Sequence, residues 1–451
     1  MFNKVLIANR GEIARRIIRT CKRIGIATVA VYSDADVEAL HVVEADEAVR
    51  IGPAPVAQSY LQAEAIVQAA LQTGADAIHP GYGLLSENAN FARRVEEAGV
   101  VFIGPSSHVI GQMGSKVRAR AIMEAAGVPI VPGSDGAVSD GEALVVAEEI
   151  GYPVMLKASG GGGGIGMQVV RNADELKKAF SSNQARAKSY FGDGDMFVEK
   201  CITSPHHIEI QVLFDGQGHG VYLWERECSI QRRHQKVLEE APSPFVSEEL
   251  RERMGEAAIA AGRAIGYVNA GTLEFLVDDD GHFYFLEMNT RLQVEHPVTE
   301  CITGLDLVEW QLRIADGEAL SFTQSDVRRE GHAIEVRIYA EDPVRMLPSP
   351  GTITAMTLPA GDGVRNDVAV EGPAVVTPFY DPMIGKLIVS AADRENAINK
   401  LSEALDAYRI EGIKTNLPLL RDIVTSEAFA AGVTTTDFIP KLQSVARTKN
   451  A

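Results

Sequence analysis

The apolar run Phe283-Tyr284-Phe285-Leu286 passes directly into Glu287-Met288-Asn289-Thr290-Arg291-Leu292-Gln293-Val294-Glu295-His296. An extended chain sends alternate side chains to one side. Glu287, Asn289, Arg291, Gln293 and Glu295 then share a face that reads acid, amide, guanidinium, amide, acid. Such a face supplies a metal ligand, an anion clamp and a general base. A solvated strand is polar too, but it seldom follows so apolar a run. A straight strand would put Glu295 about 26 Å from Glu287. Both carboxylates serve one site only if the chain bends between them, and Asn289-Thr290 is the expected place.

The segment just upstream supplies a partner. Thr272-Leu273-Glu274-Phe275-Leu276-Val277 and Phe283 to Met288 flank Asp278-Asp279-Asp280-Gly281, a hairpin signal. A four-residue loop places Glu274 opposite Phe285, with Glu287 one diagonal step away on the same side. Two carboxylates converging over apolar surface repel unless a cation lies between them. Magnesium suits them as a hard ion that takes carboxylate and phosphate oxygens, with manganese as the alternative. Two ions about 3.5 to 4 Å apart could bridge a polyphosphate. Asp278 to Asp280 read as the exposed turn.

The first hundred residues alternate short apolar strands with amphipathic helices. Strands are expected at Lys4 to Ala8, Thr28 to Tyr32, Ala75 to Ile78 and Val100 to Ile103. A helix from Glu12 to Ile24 carries Ile13, Ile17, Ile18, Cys21 and Ile24 on its apolar side, and Gly25 stops it. This rhythm predicts an open parallel sheet with helices on both faces. The first strand-to-helix turn, Asn9-Arg10-Gly11-Glu12, is not a GxGxxG fingerprint, so a dinucleotide site has little support. A helix around Ser115 to Ala126 leads to Gly127-Val128-Pro129, a natural boundary.

Between the strands Pro153 to Lys157 and Met167 to Val170 lies Ser159-Gly160-Gly161-Gly162-Gly163-Gly164-Ile165-Gly166. Glycines permit close backbone approach and positive φ, so their amides can cradle phosphate oxygens. A flexible surface hairpin would look the same in isolation; Lys157 just before the loop favours phosphate binding. The loop joins strand to strand, unlike a P-loop, and so much glycine implies a mobile lid. Phe197 to Ile202 ends a strand at a domain junction and can present backbone groups to an adenine edge. In His207 to Val212 the period is two, with Ile208, Ile210 and Val212 facing the core and His207, Glu209 and Gln211 the other way. Ser229 to Lys236 concentrates positive charge; a solvated turn and a polyanion contact both fit.

A chain of 451 residues implies two or three domains. Its net charge of −18 argues against a general nucleic-acid binder. No apolar run is long enough to cross a membrane and Val5 to Ala8 is too short for a signal-peptide core. The four cysteines, Cys21, Cys201, Cys228 and Cys301, are far apart and lack metal spacing, which fits free thiols in a reducing cytoplasm.

The glycine hairpin, the lysine before it and the paired strand carboxylates resemble the ATP-grasp superfamily. Ala8-Asn9-Arg10-Gly11-Glu12-Ile13-Ala14, His79-Pro80-Gly81-Tyr82-Gly83 and Glu287-Met288-Asn289-Thr290-Arg291 are similar to motifs of biotin carboxylases. So are Gln293 to Glu300 and Pro348-Ser349-Pro350-Gly351. The resemblance spans almost the whole chain. Ile165 departs from it, because a basic residue is common at that place in the glycine loop. The implied fold is α/β (α+β): an ATP-grasp with an N-terminal open parallel-sheet domain (1–114), linker helices and a mobile glycine-rich lid (115–202), an ATP-grasp core (203–330) and a C-terminal mixed α/β domain (331–446).

The resemblance also implies roles. Lys116, Lys157 and the lid residues Gly162, Gly163, Gly164, Gly166 and Met167 would hold ATP phosphates. Glu199, Lys200, Ile202 and Leu276 would line the adenine pocket, and His207, Gln231 and His234 would contact ribose or phosphate. Glu274, Glu287 and Asn289 would bind magnesium. Lys236, Arg291, Gln293 and the amide of Val294 would hold bicarbonate, with Glu295 as general base; Arg337 and Tyr82 would face biotin. The implied reaction is ATP- and bicarbonate-dependent carboxylation of biotin through carboxyphosphate. Bicarbonate is a poor electrophile and must first attack the γ-phosphate, with Glu295 taking its proton. Arg337 sits in the alternating strand Ile334 to Ile338, where a surface ion pair with Glu335 is the alternative reading.

No lysine is flanked by methionine, so biotin is expected on a separate biotin carboxyl carrier protein, with separate carboxyltransferase subunits. That matches an acyl-CoA carboxylase complex such as that of fatty acid biosynthesis; the final acceptor binds elsewhere and is not encoded here. A homodimer is implied, with Arg19, Glu47 and Arg365 as candidate contacts. Ala446 to Ala451 read as a frayed tail. Two other readings stay open: another ATP-grasp carboxylate-amine ligase, and a catalytically silent nucleotide-sensing protein. The second would be expected to lack a metal carboxylate or the base, and Glu274, Glu287 and Glu295 are all present.

Overall fold

The computed structural model describes residues 1–158, 167–191, 194–233 and 235–449. At the N-terminus, β1 (Lys4–Ile7), β2 (Ala27–Ser33), β3 (Glu47–Gly52), β4 (Ala77–His79) and β5 (Val101–Phe102) form a parallel sheet in the order β3-β2-β1-β4-β5. The helix Gly11–Arg23 buries Ile13, Ile17, Ile18 and Cys21, and Gly25 follows it at φ +79°. β3 escapes a periodicity reading because Glu47, Ala48 and Arg50 are open to solvent and only Ile51 and Gly52 are buried. The strand order reverses beside β1, so a crevice opens at the C-terminal ends of β1 and β4. Asn9 closes its floor, donating from Nδ2 to the carbonyls of Pro80 and Tyr82, both at 2.8 Å. Gly81 has φ +63°, and a Cβ there would lie 2.8 Å from Asn9 Nδ2. Glycine is therefore required at that turn.

A small antiparallel sheet follows, β6 (Val154–Ala158), β7 (Met167–Val170) and β8 (Met196–Lys200), in the order β7-β6-β8. The helices Asp140–Ile150 and Ala173–Phe191 cover it over Leu156, Val170, Phe180 and Val198. The glycine run connects β6 to β7 as expected; Gly162, Gly163, Gly164, Ile165 and Gly166 themselves lie outside the described residues.

The remaining strands are β9 (His206–Phe214), β10 (Gly220–Arg232), β11 (Gln235–Ala241), β12 (Asn269–Val277), β13 (Phe283–Asn289), β14 (His332–Tyr339), β15 (Gly351–Ile353), β16 (Ala355–Thr357), β17 (Val364–Val368), β18 (Ala374–Val376), β19 (Met383–Ala391) and β20 (Arg409–Glu411). Eight of them make one antiparallel sheet, β13-β12-β9-β10-β11-β14-β19-β17, which runs on across residue 330. β15 pairs with β18 and β16 with β20. Ile208, Ile210 and Val212 of β9 enter an apolar cluster with Met254, Phe275 and Phe285. His207, Glu209 and Gln211 take the other face and are also buried.

Three expectations are corrected. Glu274 does not face Phe285: Phe275 pairs with Phe285, and Glu274 pairs directly with Glu287. Leu286 is the extra residue of a β-bulge, so the carboxylates come closer than a regular ladder allows. The polar face from Glu287 to Glu295 is not one strand either. β13 stops at Asn289, and the helix His296–Thr303 starts with Glu295 as its N-cap. The bend falls where expected and is held by Glu87, whose carboxylate accepts from the Thr290 amide at 3.2 Å. Finally, 446–449 belong to the helix Phe438–Lys449 rather than to a frayed tail. Phe438 and Ile439 anchor that helix in the C-terminal core.

Candidate active site

Glu295 is 2 % exposed, and cations hold both of its oxygens. Lys236 Nζ donates to Oε1 at 2.7 Å, and Arg337 donates to Oε2 at 3.0 Å. Burial alone would raise the Glu295 carboxyl, but Lys236, Arg337 and Arg226 outweigh it and hold it well below the usual carboxylate range. It is therefore an anion throughout the physiological range. Lys236, on β11, also reaches Glu274 Oε1 at 2.9 Å and contacts Glu209. Burial opposes the lysine's charge, but Glu274 and Glu295 raise it above the ordinary lysine value.

Glu274 and Glu287 stand opposite each other on β12 and β13. Glu274 is buried and accepts from Asn289 Nδ2 at 2.7 Å and Gln293 Nε2 at 2.8 Å. Its Oε2 lies 3.0 Å from His207 Nε2. Gln231 directs its amide at His207 Nδ1 from 3.0 Å. Burial would raise Glu274, but Lys236 and His207 lower it well below its ordinary value. Glu287 is the contrast. Its side chain is open to solvent and, among the described residues, has no side-chain partner; desolvation by the surrounding protein, followed by repulsion from Glu274, raises its carboxyl. An all-oxygen donor set with one unpaired acid fits a hard divalent cation. Glu274, Glu287 and Asn289 would hold it, and it would neutralise charge on transferring phosphate oxygens.

Arg291 leaves the bend towards Glu87, with Nε at 2.7 Å from its carboxylate, and donates to Asn289 Oδ1 at 2.8 Å. Gln293 is buried between Arg226 and Glu274. Val294 presents its carbonyl to Lys386 Nζ at 2.7 Å. Arg337 also donates from Nε to Glu239 at 2.6 Å. The surface pair with Glu335 is therefore overturned: Arg337 and Glu335 are both buried, and the acids on Arg337 are Glu239 and Glu295. Tyr82, at the end of β4, donates its hydroxyl to Glu12.

The nucleotide candidates flank the small sheet. Lys157 of β6 pairs with Glu199 of β8, and Met167 is its neighbour on β7. Lys200 Nζ donates to the Gly151 carbonyl at 2.9 Å. Ile202 and Leu276 are half-buried, and Leu276 pairs with His207 in the ladder. Lys116 is exposed at the start of the helix Lys116–Ala125, and its charge acts on Glu287. His234 lies outside the described residues. The proposed dimer contacts hold partners within the chain: Arg19 and Arg365 with Asp367, Arg365 with Glu300, and Glu47 with Lys4.

Family models match end to end. The N-terminal domain of biotin carboxylase covers residues 1–110, the ATP-binding domain of the carbamoyl-phosphate synthase L chain 115–323, and the C-terminal domain of biotin carboxylase 335–441. A curated biotin carboxylase from Halalkalibacterium halodurans is 62% identical over 440 residues, 97% of each chain. The chain belongs to the biotin carboxylase family. It is an ATP-grasp enzyme of the class that carboxylates biotin using ATP and bicarbonate. The biotin carboxylase domain of Hydrogenobacter thermophilus 2-oxoglutarate carboxylase, a dimer in complex with MgADP, ADP and bicarbonate, superposes at TM-score 0.91 with 51% identity over 98% of each chain. The Campylobacter jejuni biotin carboxylase in its β-γ-ATP complex superposes at 0.92, with 47% identity over 98% of this chain and 99% of that one. Among the described residues no helix is long and apolar enough to cross a membrane.

One part of this biotin carboxylase site goes beyond the sequence reading. Arg226 of β10 is 0 % exposed and holds Glu209, Gln211, Thr272, Gln293 and Thr299. It sits between Glu225 and Glu227, directly after the apolar run Val221-Tyr222-Leu223-Trp224. A buried guanidinium needs several acceptors, so that acid-base-acid run was the available signal.

Proposed function

We propose that Glu295 is the general base and that Lys236, Arg291, Gln293 and the Val294 amide bind bicarbonate beside it. The carrying observation is the double hold on Glu295, by Lys236 at one oxygen and Arg337 at the other, next to the opposed acids Glu274 and Glu287. A base gripped by two cations is ionised but weakly basic. Bicarbonate entering as an anion draws Lys236 and Arg291 to itself. Glu295 then loses part of its stabilisation, and its proton affinity rises as the proton must move. Arg291 must leave Glu87 to take part, a side-chain movement about the bend at Thr290.

The magnesium held by Glu274, Glu287 and Asn289, when bound, neutralises charge on the ATP phosphates. Lys116 and Lys157 are placed to bind those phosphates, with Lys157 released from Glu199. His207 and Gln231 orient the ribose side, and Glu199, Lys200, Ile202 and Leu276 surround the base. Arg337 contacts Glu295, and its charge also acts on Tyr82. It is placed to stabilise the oxygen that becomes negative when the ureido nitrogen of biotin loses its proton. Biotin arrives on a separate carrier protein, and carboxyltransferase subunits take the product onward. Two chains form the working unit.

The test is bicarbonate-dependent ATP cleavage, measured with and without free biotin. Stimulation by biotin, with label from bicarbonate appearing in carboxybiotin, is expected. Cleavage coupled instead to an amine acceptor would move the chain to another ATP-grasp reaction.

A further inference from the structure

Behind Arg337 the large sheet carries two acids to which the mechanism above gives no part of their own. Glu239 on β11 and Glu335 on β14 stand directly opposite each other in the antiparallel ladder, both 0 % exposed. Opposed residues point to the same face, with Cβ atoms about 4.5 to 5.5 Å apart. Glu239 uses Oε1 for Arg337, and among the described residues its Oε2 has no hydrogen-bond partner. Neither carboxyl oxygen of Glu335 has one.

Among the described residues the surroundings give these oxygens no donor. Arg337, two residues along β14, turns to Glu239 Oε1 and Glu295. Lys386 pairs with Arg337 across to β19, but its ammonium points to the Val294 carbonyl at 2.7 Å and to Glu12 at 3.4 Å. Ala241, Ala333, Val298 and Ile388 cluster on the remaining side. An ionised carboxylate without donors is strongly disfavoured in such a place, and two facing carboxylates repel. A single proton between the pair answers both problems, because it removes one charge and supplies the missing donor.

We infer that Glu335 is a positioning residue for carboxylation: its carboxyl keeps a proton directed at Glu239, and this shared proton limits how firmly Glu239 holds Arg337 against Glu295. Burial agrees, since it pushes Glu335 well above the ordinary carboxylate range despite Lys386 and Arg337, and shifts Glu239 the same way. With the proton in place Glu239 is a weaker acceptor, and Arg337 stays divided between it and the base. Without it, a fully charged Glu239 draws Arg337 back from the reacting centre. The role in turnover rests on the biotin carboxylase reading above; the shared proton itself does not.

The experiment compares Glu335→Leu and Glu335→Gln with the wild-type enzyme. Leucine cannot donate to Glu239, so kcat for biotin carboxylation should fall about tenfold with the KM for ATP changed by less than about twofold. Glutamine offers an N–H in place of the proton and should restore most of that rate. It should also flatten the alkaline limb of the pH profile, because it has no proton to lose. Infrared spectra of the folded wild type at neutral pH should show a protonated-carboxyl carbonyl band that Glu335→Gln lacks. Identical spectra overturn the shared proton, whatever the kinetics. Equal rates for the two variants, or a wild-type pH profile in Glu335→Gln, overturn the positioning role. If the leucine variant does not fold, the infrared band and the pH profile of Glu335→Gln decide.

Discussion

Arg337 donates to Glu295 at 3.0 Å, although the two residues are 42 positions apart in the chain. The contact joins β14 of the large sheet to the bend that leaves β13. It puts the proposed base, Glu295, and the proposed biotin-side cation, Arg337, in one unit, so that a change at either is felt by both. Glu295 carries the charge that Arg337 and Lys236 both need, and each cation has another acid waiting, Glu239 for one and Glu209 for the other.

Replacing Glu295 with Gln keeps the shape and removes the base. Bicarbonate-dependent ATP cleavage should fall by at least about a hundredfold, the usual span of general-base catalysis. ATP affinity, measured by calorimetry, should change little, because the proposed role of Glu295 is towards bicarbonate rather than the nucleotide. Turnover near the wild-type rate in a folded variant would remove Glu295 from the chemistry.

Arg226 is fully buried and holds five polar side chains of the site: Glu209, Gln211, Thr272, Gln293 and Thr299. Its replacement by Met strips the buried Glu209 of one cation and takes from Gln293 one of its anchors, leaving Glu274. Breaking such a buried pair from one side typically destabilises by about 3 to 5 kcal/mol. Thermal unfolding should show a marked drop, and adding Glu209→Gln should recover part of it. An unchanged melting temperature would mean that the guanidinium contributes no net stability.

The parts legible in the sequence are those governed by local patterning. The alternation in β9, the glycine run between β6 and β7, and the need for a bend at Asn289-Thr290 all follow from periods of a few residues. The bulge at Leu286 does not, because it comes from packing Phe275 on Phe285 while Glu274 meets Glu287. Arg226 and the Glu239–Glu335 pair were equally hidden. Their meaning depends on which strands become neighbours, and β11 meets β14 across a long stretch of intervening chain. β3 was missed for the opposite reason: an edge strand with one open half carries no apolar period. Family motifs supplied the residue roles that patterning could not.

The enzyme should lose stability steadily below neutral pH. His79 is fully buried, accepts from the Gly81 amide at Nδ1 and faces Gln311 at 3.2 Å through Nε2. Burial is the main cause of its shift, lowering its pKa from 6.5 to about 3, and His41 is lowered to about 4 for the same reason. His296 is pushed down as well. The unfolded chain takes up these protons first, so the stability is fully present above about 6.5 and is lost as pH falls from there towards the folded values. By pH 5 each imidazole forfeits about 2 kcal/mol relative to pH 7.5. His79→Asn should start from a lower melting temperature yet lose about a third less of it between those two pH values. An unreduced slope would place the acid sensitivity elsewhere.

Glu287 makes the sharpest metal prediction, because its two roles pull in opposite directions. In the metal-free protein it faces Glu274 with no ion-pair partner among the described residues, and desolvation together with that repulsion raises its carboxyl. Glu287→Gln removes the repulsion, so the metal-free variant should melt no lower than the wild type. Magnesium reverses the order. The wild type gains a charge-neutralised pair and binds MgATP, whereas the variant offers one carboxylate where two are needed, and kcat should fall at least about tenfold. Melting curves with EDTA, then with magnesium and ATP, separate the two effects. The ligand-induced rise in melting temperature should be large in the wild type and small in Glu287→Gln. A variant that is destabilised in EDTA and still gains the full rise with MgATP would assign Glu287 to structure and take the cation away from the Glu274–Glu287 pair.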